Sequence, residues 1–353
     1  MKNTIQDIQF VYWFAYFGTD SPSVRYRGKY ALESWKKIWG IDYYFVTPIY
    51  SINGIICFLI AYCSALFWRK KNAIVVIQRV RSNFIYANLL KILVLLHNKD
   101  TVYDIDDSDY LEHNPSSIYF FAKHCHKISA GSRLIVQHLK QYNPNILHIT
   151  SPIVDLEIVK EKRNKLFTIG WIGGFNWGHK KSLTTIAFPA LLQINFPCQI
   201  IFCGVKEIED IKYIEDYFGH KKNIVLKILS NIDWNNEKAI QQTITTFDIG
   251  IATLENTTIH RSKSGIKIKQ YFNNGIPALS SNLPENNAII QQGENGYFCD
   301  SSEDFTKYIQ HFYEMTEKEY QQFSVQARKS IVNFDHKVYL DSFIALKNLK
   351  NDL

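Results

Sequence analysis

Short apolar runs alternate with helix-like stretches along the chain, and this alternation constrains the fold more than any other feature. Gln9–Tyr16, Asp42–Val46, Ala73–Gln78, Thr101–Ile105, Lys127–Ala130 and Ile146–Thr150 read as strands. Arg25–Ile38, Ile55–Trp68, Phe84–His97 and Ser132–Tyr142 read as the helices between them. Strands joined through helices pair in parallel, with the helices covering the sheet. Ser151 through Lys165 is polar and charged and reads as a linker, after which the pattern restarts. Phe167–Ile172, Gln199–Cys203, Ile224–Ile228, Phe247–Ala252 and Pro277–Ser281 are the second set of strands. Leu183–Gln193, Ile266–Asn273 and Ser302–Phe312 are its helices, and roughly Thr316 to Leu353 is helical. The expectation is two doubly wound α/β domains in tandem, with the carboxyl ends of their strands around a shared cleft, where such sheets bind ligands.

The 353-residue length fits about two domains. Hydrophobic residues make up 46% and aromatics 14%, which excludes a disordered or coiled-coil chain. The net charge of +7 is lopsided: residues 1–155 carry 17 Lys/Arg against 11 Asp/Glu, and the remainder 23 against 22. The front half therefore suits an anionic partner. Aromatics lie in apolar strands without interleaving a basic patch, so no nucleic-acid partner is expected. The six cysteines form no C-x-x-C pair and sit among apolar neighbours, which reads as reduced core cysteine. The start MKNTIQDIQFVYWF lacks the pattern of a signal peptide, and the expected location is cytoplasmic, with the inner face of a membrane as a second station. Ile55–Trp68 is uncharged for fourteen residues and is followed by Arg69, Lys70 and Lys71. That is too short to span a bilayer. It fits either a helix buried in the first domain or an interfacial helix making a peripheral membrane contact.

Five loops offer chemistry. Gly170-Trp-Ile-Gly173-Gly174-Phe-Asn-Trp-Gly178-His179 joins a strand to a helix, and its glycines allow close backbone approach to a phosphate. It is not G-x-G-x-x-G, and an unliganded glycine turn fits equally. Lys263 and Lys267 are four apart, on one face if helical, which suits a diphosphate or a solvated surface. Ser280 to Ile290, with Asn286 and Asn287, and then Gly293 to Phe298 read as loop, with amides able to hold phosphate. Asp104, Asp106, Asp107 and Asp109 crowd a strand end. They suit a metal, sugar hydroxyls or a helix start, and the spacing is not that of a calcium loop. Gly18 to Arg27 follows the first strand, where Ser23 is placed to cap the next helix and Arg25 and Arg27 to meet a ligand, joined by Arg79 at the end of the third strand.

Together these blocks resemble the GT-B glycosyltransferases of family 4, the group 1 type. Pro22-Ser23-x-Arg25 resembles the family's first loop. Val75–Arg79 followed by Tyr103–Asp107 resembles a subgroup pattern, and Ile169–Gly173 the start of the donor domain. Phe247–Leu254, Lys263 with Lys267, Gly275-Ile-Pro277, Asn287 and Asn295–Phe298 resemble the remaining donor-domain blocks. The resemblance implies two Rossmann-like domains facing a cleft: 1–155 on the acceptor side and 160–330 holding the donor, with helices of about 335–353 packed back on the first.

The implied activity is sugar transfer from a nucleotide-sugar donor to a glycan or lipid-linked acceptor in cell-surface polysaccharide synthesis. Retention is implied, with no cofactor beyond the nucleotide-sugar co-substrate and no bound metal. By resemblance Gly173, Gly174, Lys263, Lys267, Gln270, Asn286 and Asn287 hold the donor. Asp106, Asp107 and Arg25 form the catalytic set, and Ser23, Arg27 and Arg79 lie on the acceptor side. The family's two glutamates, eight positions apart, fall here on Ser262 and Gln270. That departure leaves Glu255 or His260 as substitutes. It also keeps a non-catalytic scaffold, or an epimerase, as alternatives. His97, His113, His124 and His126 are base candidates by side chain alone.

Overall fold

The computed structural model describes residues 7–48, 51–81 and 84–349. The first six residues, on which the reading of the chain's start partly rests, lie outside the described residues. The chain divides into two compact units: Met1–Val154 with Ser262–Ser264 and Phe334–Leu353, and Asp155–Arg261 with Gly265–Asn333.

Among the described residues of the first unit, six strands make one parallel sheet. They are β1 (Phe10–Ala15), β2 (Asp42–Val46), β3 (Ala73–Gln78), β4 (Thr101–Ile105), β5 (Lys127–Ala130) and β6 (Ile146–His148), in the order β2-β1-β3-β4-β5-β6. Inner strands of such a sheet are covered on both faces, which is why Ala73–Gln78 is buried at every position and reads as one apolar run. A π-helical turn at Val24–Lys29 leads into α1 (Tyr30–Trp39); α2 (Ile52–Phe67), α3 (Phe84–Leu96), α4 (Ser116–His124) and α5 (Arg133–Leu139) follow. Tyr12, Phe14, Val75, Ile77, Tyr103 and Ile105 pack on the face covered by α2, α3 and α4. Val11, Trp13, Ile74, Val76 and Val102 pack on the other.

The second unit repeats the plan, again among its described residues. Its strands are β7 (Thr168–Ile172), β8 (Cys198–Cys203), β9 (Ile224–Leu229), β10 (Ile249–Ala252), β11 (Ala278–Ser281) and β12 (Gly296–Cys299), in the order β12-β11-β10-β7-β8-β9. Read from β9, this is the dinucleotide-fold order. Its helices are α6 (Trp177–Ser182), which continues through a π turn into α7 (Phe188–Leu192), then α8 (Ile208–Phe218), α9 (Glu237–Ile244), α10 (Ile266–Asn273), α11 (Ser302–Glu314) and α12 (Glu317–Ser330). The last helix, α13 (His336–Asn348), returns to the first unit. There Tyr339 and Phe343 pack on Trp35, and Lys127 Nζ donates to the carbonyls of Lys347 and Leu349 at the helix end.

Three expectations change. Gly293–Phe298 is not all loop, because Gly296–Cys299 pairs with β11 as the edge strand β12. The cysteines are free, but not all are core: Cys125, Cys198, Cys203 and Cys299 are buried while Cys57 is exposed. Burial pushes the buried thiols up, Cys198 to about 11 and Cys203 to about 12, so they are poor nucleophiles. Finally, α2 is not a buried helix. Only Ala61, Tyr62 and Ala65 of its sixteen residues are buried. Among the described residues no helix is long and apolar enough to cross a membrane.

Candidate functional site

In each unit the strand order reverses beside the first strand, between β1 and β3 and between β7 and β10. Loops leaving the carboxyl ends of these strands diverge and open a crevice there. The candidate residues gather at these two places.

In the first unit the centre is Arg79, the residue after β3. Its φ of +53° is left-handed, costly for a residue with a side chain and held only by strong surrounding contacts. Those contacts are visible. Arg79 donates through Nε and Nη2 to the two carboxylate oxygens of Asp109 at 2.9 and 2.8 Å, and through Nη1 to Ser23 Oγ at 2.9 Å. The same Nη1 lies 2.9 Å from Asp107 Oδ2 and 3.5 Å from Asp106 Oδ1. Arg81 adds a contact to Asp109 at 3.2 Å, and both guanidiniums lie over the Phe17 ring. Lys263 Nζ reaches Asp107 Oδ1 at 2.8 Å. The crowded acids therefore have arginine and lysine partners inside the unit. Burial alone would lower the Arg79 pKa, but Asp107, Asp106 and Asp109 more than reverse this and fix it as a cation. Burial raises the Asp106 pKa; Arg79 opposes the rise and Asp107 adds to it, so its proton is held more tightly than an ordinary carboxylate's.

Ser23 does not cap the following helix. Its backbone is already helical, its side chain makes no cap hydrogen bond, and its hydroxyl serves Arg79 instead. Arg25 is buried, with Nη1 donating to the carbonyls of Thr19 and Asp20 at 3.1 and 2.6 Å. It therefore braces the loop after β1. Arg27 is sealed under the sheet edge, with Nε on Asp104 Oδ2 at 2.9 Å, Nη2 on Asp104 Oδ1 and on Ser129 Oγ, and Nη1 on the Ile149 carbonyl at 2.7 Å. Its position is that of an internal strut. Of the histidines, His124 packs at a tilt against the Phe120 ring, and His126 Nδ1 accepts the Asp100 N–H.

In the second unit the centre is the backbone after β7. Gly173 has φ +155°, and a Cβ there would lie 2.8 Å from Lys267 Cε and 3.1 Å from its Nζ. The ammonium thus rests directly over the glycine backbone. Lys267 Nζ also lies 3.1 Å from His179 Nε2 and 5.7 Å from the centre of the Trp171 ring. A Cβ at Gly204 would lie 2.2 Å from the Gly173 carbonyl oxygen, so the turn after β8 must be glycine to let the Gly173 strand end sit where it does. Gly178 leaves room for His260 Nε2, and His260 Nδ1 lies 3.0 Å from the Glu255 carbonyl. The Glu255 carboxylate pairs with Lys181 at 3.0 Å. The Trp171 indole N–H and the Thr253 hydroxyl are buried without a hydrogen-bond partner among the described residues. Such groups are costly unless water or a ligand meets them.

Gly174 is exposed, and Gln270 is buried on α10. Asn286 Nδ2 donates to Ser280 Oγ and the Ser281 carbonyl at 2.8 and 2.9 Å, while Asn287 is exposed. Lys263 and Lys267 do not share a helix face. Gly265, at φ +65°, turns the chain just before α10, which starts at Ile266, so Lys263 lies ahead of the helix. Ser262 Oγ is 2.7 Å from Ser108 Oγ. Trp171 and His179, which are not among the candidate residues of the sequence, lie against Lys267. The Gly178-His179 pair after Gly173-Gly174 is the signal that points to His179.

No family model and no curated protein matches the chain. Solved structures do. HepE of Anabaena in complex with UDP-glucose is similar with a TM-score of 0.68 and 13% identity, covering 96% of this chain and 100% of that one. A glycosyltransferase of Rickettsia africae gives 0.67 and 12%, over 97% and 100%. The lipopolysaccharide outer core galactosyltransferase WaaB gives 0.62 and 13%, over 96% and 98%. The fold is GT-B. At this identity the likeness carries the architecture: two parallel six-stranded sheets flanked by helices, in one chain, over its whole length.

Proposed function

We propose that the protein is a glycosyltransferase that moves a sugar from a nucleoside-diphosphate donor to a glycan or lipid-linked acceptor. The observation that carries this reading is Lys267 held over the Gly173 backbone at the β7/β10 strand reversal. A cation beside close-approach backbone is what a leaving diphosphate requires, because negative charge grows on the bridging oxygen as the glycosidic bond breaks. His179 and the buried Trp171 and Thr253 donors extend the polar lining. The similar HepE structure holds UDP-glucose, which favours a uridine nucleotide here.

On this reading the second unit is the donor domain. Gly173, Gly174, Lys267, Gln270, Asn286 and Asn287 line its donor side, while Lys263 is held by Asp107 in the first unit. Asp106 and Asp107 face the acceptor, with Arg79 beside both carboxylates and Arg25 and Arg27 holding the surrounding loops. Protein cations take the place a metal would have in neutralising the diphosphate. Membership of glycosyltransferase family 4, retention at the anomeric carbon and a role in cell-surface polysaccharide synthesis belong to the same proposal. The setting is the cytoplasmic face of a membrane.

Donor binding tests it. UDP, UDP-sugars, GDP-sugars and CMP-sugars are added in turn at millimolar concentration, and thermal unfolding is followed. At a hundred times its dissociation constant a ligand adds about 2.7 kcal/mol to the folded state. A rise of several degrees with one nucleotide class is expected. No rise with any nucleotide diphosphate contradicts the reading. Ser262 and Gln270 favour a second, non-catalytic reading, which predicts donor binding without release of nucleotide when acceptor extract is added.

A further inference from the structure

The apolar face of the first unit is not explained by sugar transfer. On α2, Ile52, Ile55, Ile56, Leu59 and Ile60 are exposed, Ile52 at 78%, and Phe67 and Trp68 follow at 65% and 72%. The spacing i, i+3, i+4, i+7, i+8 puts the five aliphatic residues on one side of the helix. On α3, Ile85, Ile92 and Leu96, spaced by seven and four, are exposed on one side with Leu95 beside them. The two helices pack together: the Tyr62 hydroxyl donates to the Leu89 carbonyl, and Phe58 meets Tyr86. Arg69 ties their ends, donating to the carbonyls of His97 and Lys99. Scattered exposed aliphatics are ordinary, but a contiguous two-helix patch of this kind marks an interaction surface.

Charge identifies the occupant. Between Asp42 and Asp100 the chain has no acidic residue, yet it carries Arg69, Lys70, Lys71, Arg79, Arg81, Lys91 and Lys99. Lys70, Lys71 and Lys99 are exposed at the end of the patch beside Trp68, and Asp100 lies near Arg69. An apolar face with an aromatic and lysines at its margin matches a bilayer, where acyl chains meet the face and anionic headgroups meet the margin. A second copy is a poorer match, since it would lay a surface of the same cationic excess against this one. Helices of sixteen and thirteen residues are about 24 and 20 Å long, too short to cross a roughly 30 Å hydrocarbon core, so both lie in the interface. We infer that α2 and α3 form a paired in-plane anchor that docks the first unit on an anionic lipid surface.

The test is co-sedimentation of the full chain with vesicles of phosphatidylcholine, with and without phosphatidylglycerol, at low and high salt. The expected result is binding that needs phosphatidylglycerol and weakens with salt. Lys70→Ala with Lys71→Ala should weaken binding by about 30-fold, from the loss of about 1 kcal/mol of attraction to anionic lipid per lysine. These exposed lysines can be changed without disturbing the core. Ile56→Asp with Leu59→Asp should abolish binding while circular dichroism stays unchanged. Sedimentation equilibrium without lipid separates the alternative. A dimer that the aspartate variant splits, with no vesicle binding, makes a second copy the occupant and overturns the proposal. So does vesicle binding that neither variant changes, or no binding at all.

Discussion

Lys267→Ala is expected to lower sugar transfer by about 100- to 1,000-fold, the loss typical when one donor to a developing negative charge is removed from a preorganised site. The size of the effect comes from where the ammonium is held. Lys267 is the second residue of α10, whose inner side is fixed by the buried Ile268, Tyr271 and Phe272. Tyr271 in turn donates its hydroxyl to the Ile251 carbonyl at 3.0 Å and accepts the Ile172 N–H at 3.3 Å. The helix is thus pinned to both strands of the reversal, and the lysine reaches the Gly173 backbone from a rigid base. The effect should fall mainly on turnover, because charge grows on the leaving group only in the transition state. Lys267 itself is only partly buried, so the variant should unfold at nearly the parent temperature. Turnover and melting measured on one preparation check both halves. A variant that keeps its activity removes Lys267 from the site.

Arg27→Met is expected to cost about 3–5 kcal/mol of stability, because it leaves the Asp104 carboxylate buried without its partner. Both side chains are 0% exposed. Burial alone would lower the Arg27 pKa, yet Asp104 more than reverses this and holds the guanidinium charged. The fork also satisfies Ser129 and the Ile149 carbonyl, joining the first helical turn to β4, β5 and the end of β6. Asp104→Leu combined with Arg27→Met should lose less than the two single changes added together, since no lone charge remains. By contrast, the Lys36–Asp42 pair has side chains 60% and 63% exposed, and its removal should change little. Urea midpoints of the four variants decide it. An Arg27→Met protein as stable as its parent would show that the strut is dispensable.

The sheets were the most legible part of the chain, and the reason is burial on both faces. Strands such as Ala73–Gln78 and Thr101–Ile105 show no alternation because neither face meets water. The edge strand β12 was less legible, being four residues that begin at a glycine next to a turn. The helix α8 is not among the helices the sequence suggests, although Ile208, Ile211, Ile214 and Phe218 follow helical spacing, because acidic residues dominate between them. For α2, periodicity could not decide between burial and exposure: a helix apolar on nearly every side gives the same pattern in a core and against lipid.

The site was legible in its places and much less so in its pairings. The acids after β4 and the glycines after β7 stand out by composition. Which acid Arg79 holds depends on a left-handed turn at a non-glycine residue, and no local signal announces it. The spacing of Lys263 and Lys267 suggested one helix face, but Gly265 starts the helix between them. His179 gains its meaning only once Lys267 is seen to lie against it.

Donor binding by the second unit at the β7/β10 reversal is what the proposed function requires. Amide hydrogen exchange of the whole chain, with and without UDP-sugar, measures this directly. Donor is expected to slow exchange at the backbone from Gly170 to Ser182 and at the start of α10, from Gly265 to Gln270. Protection elsewhere with these segments unchanged, or none at a saturating donor concentration, would contradict it.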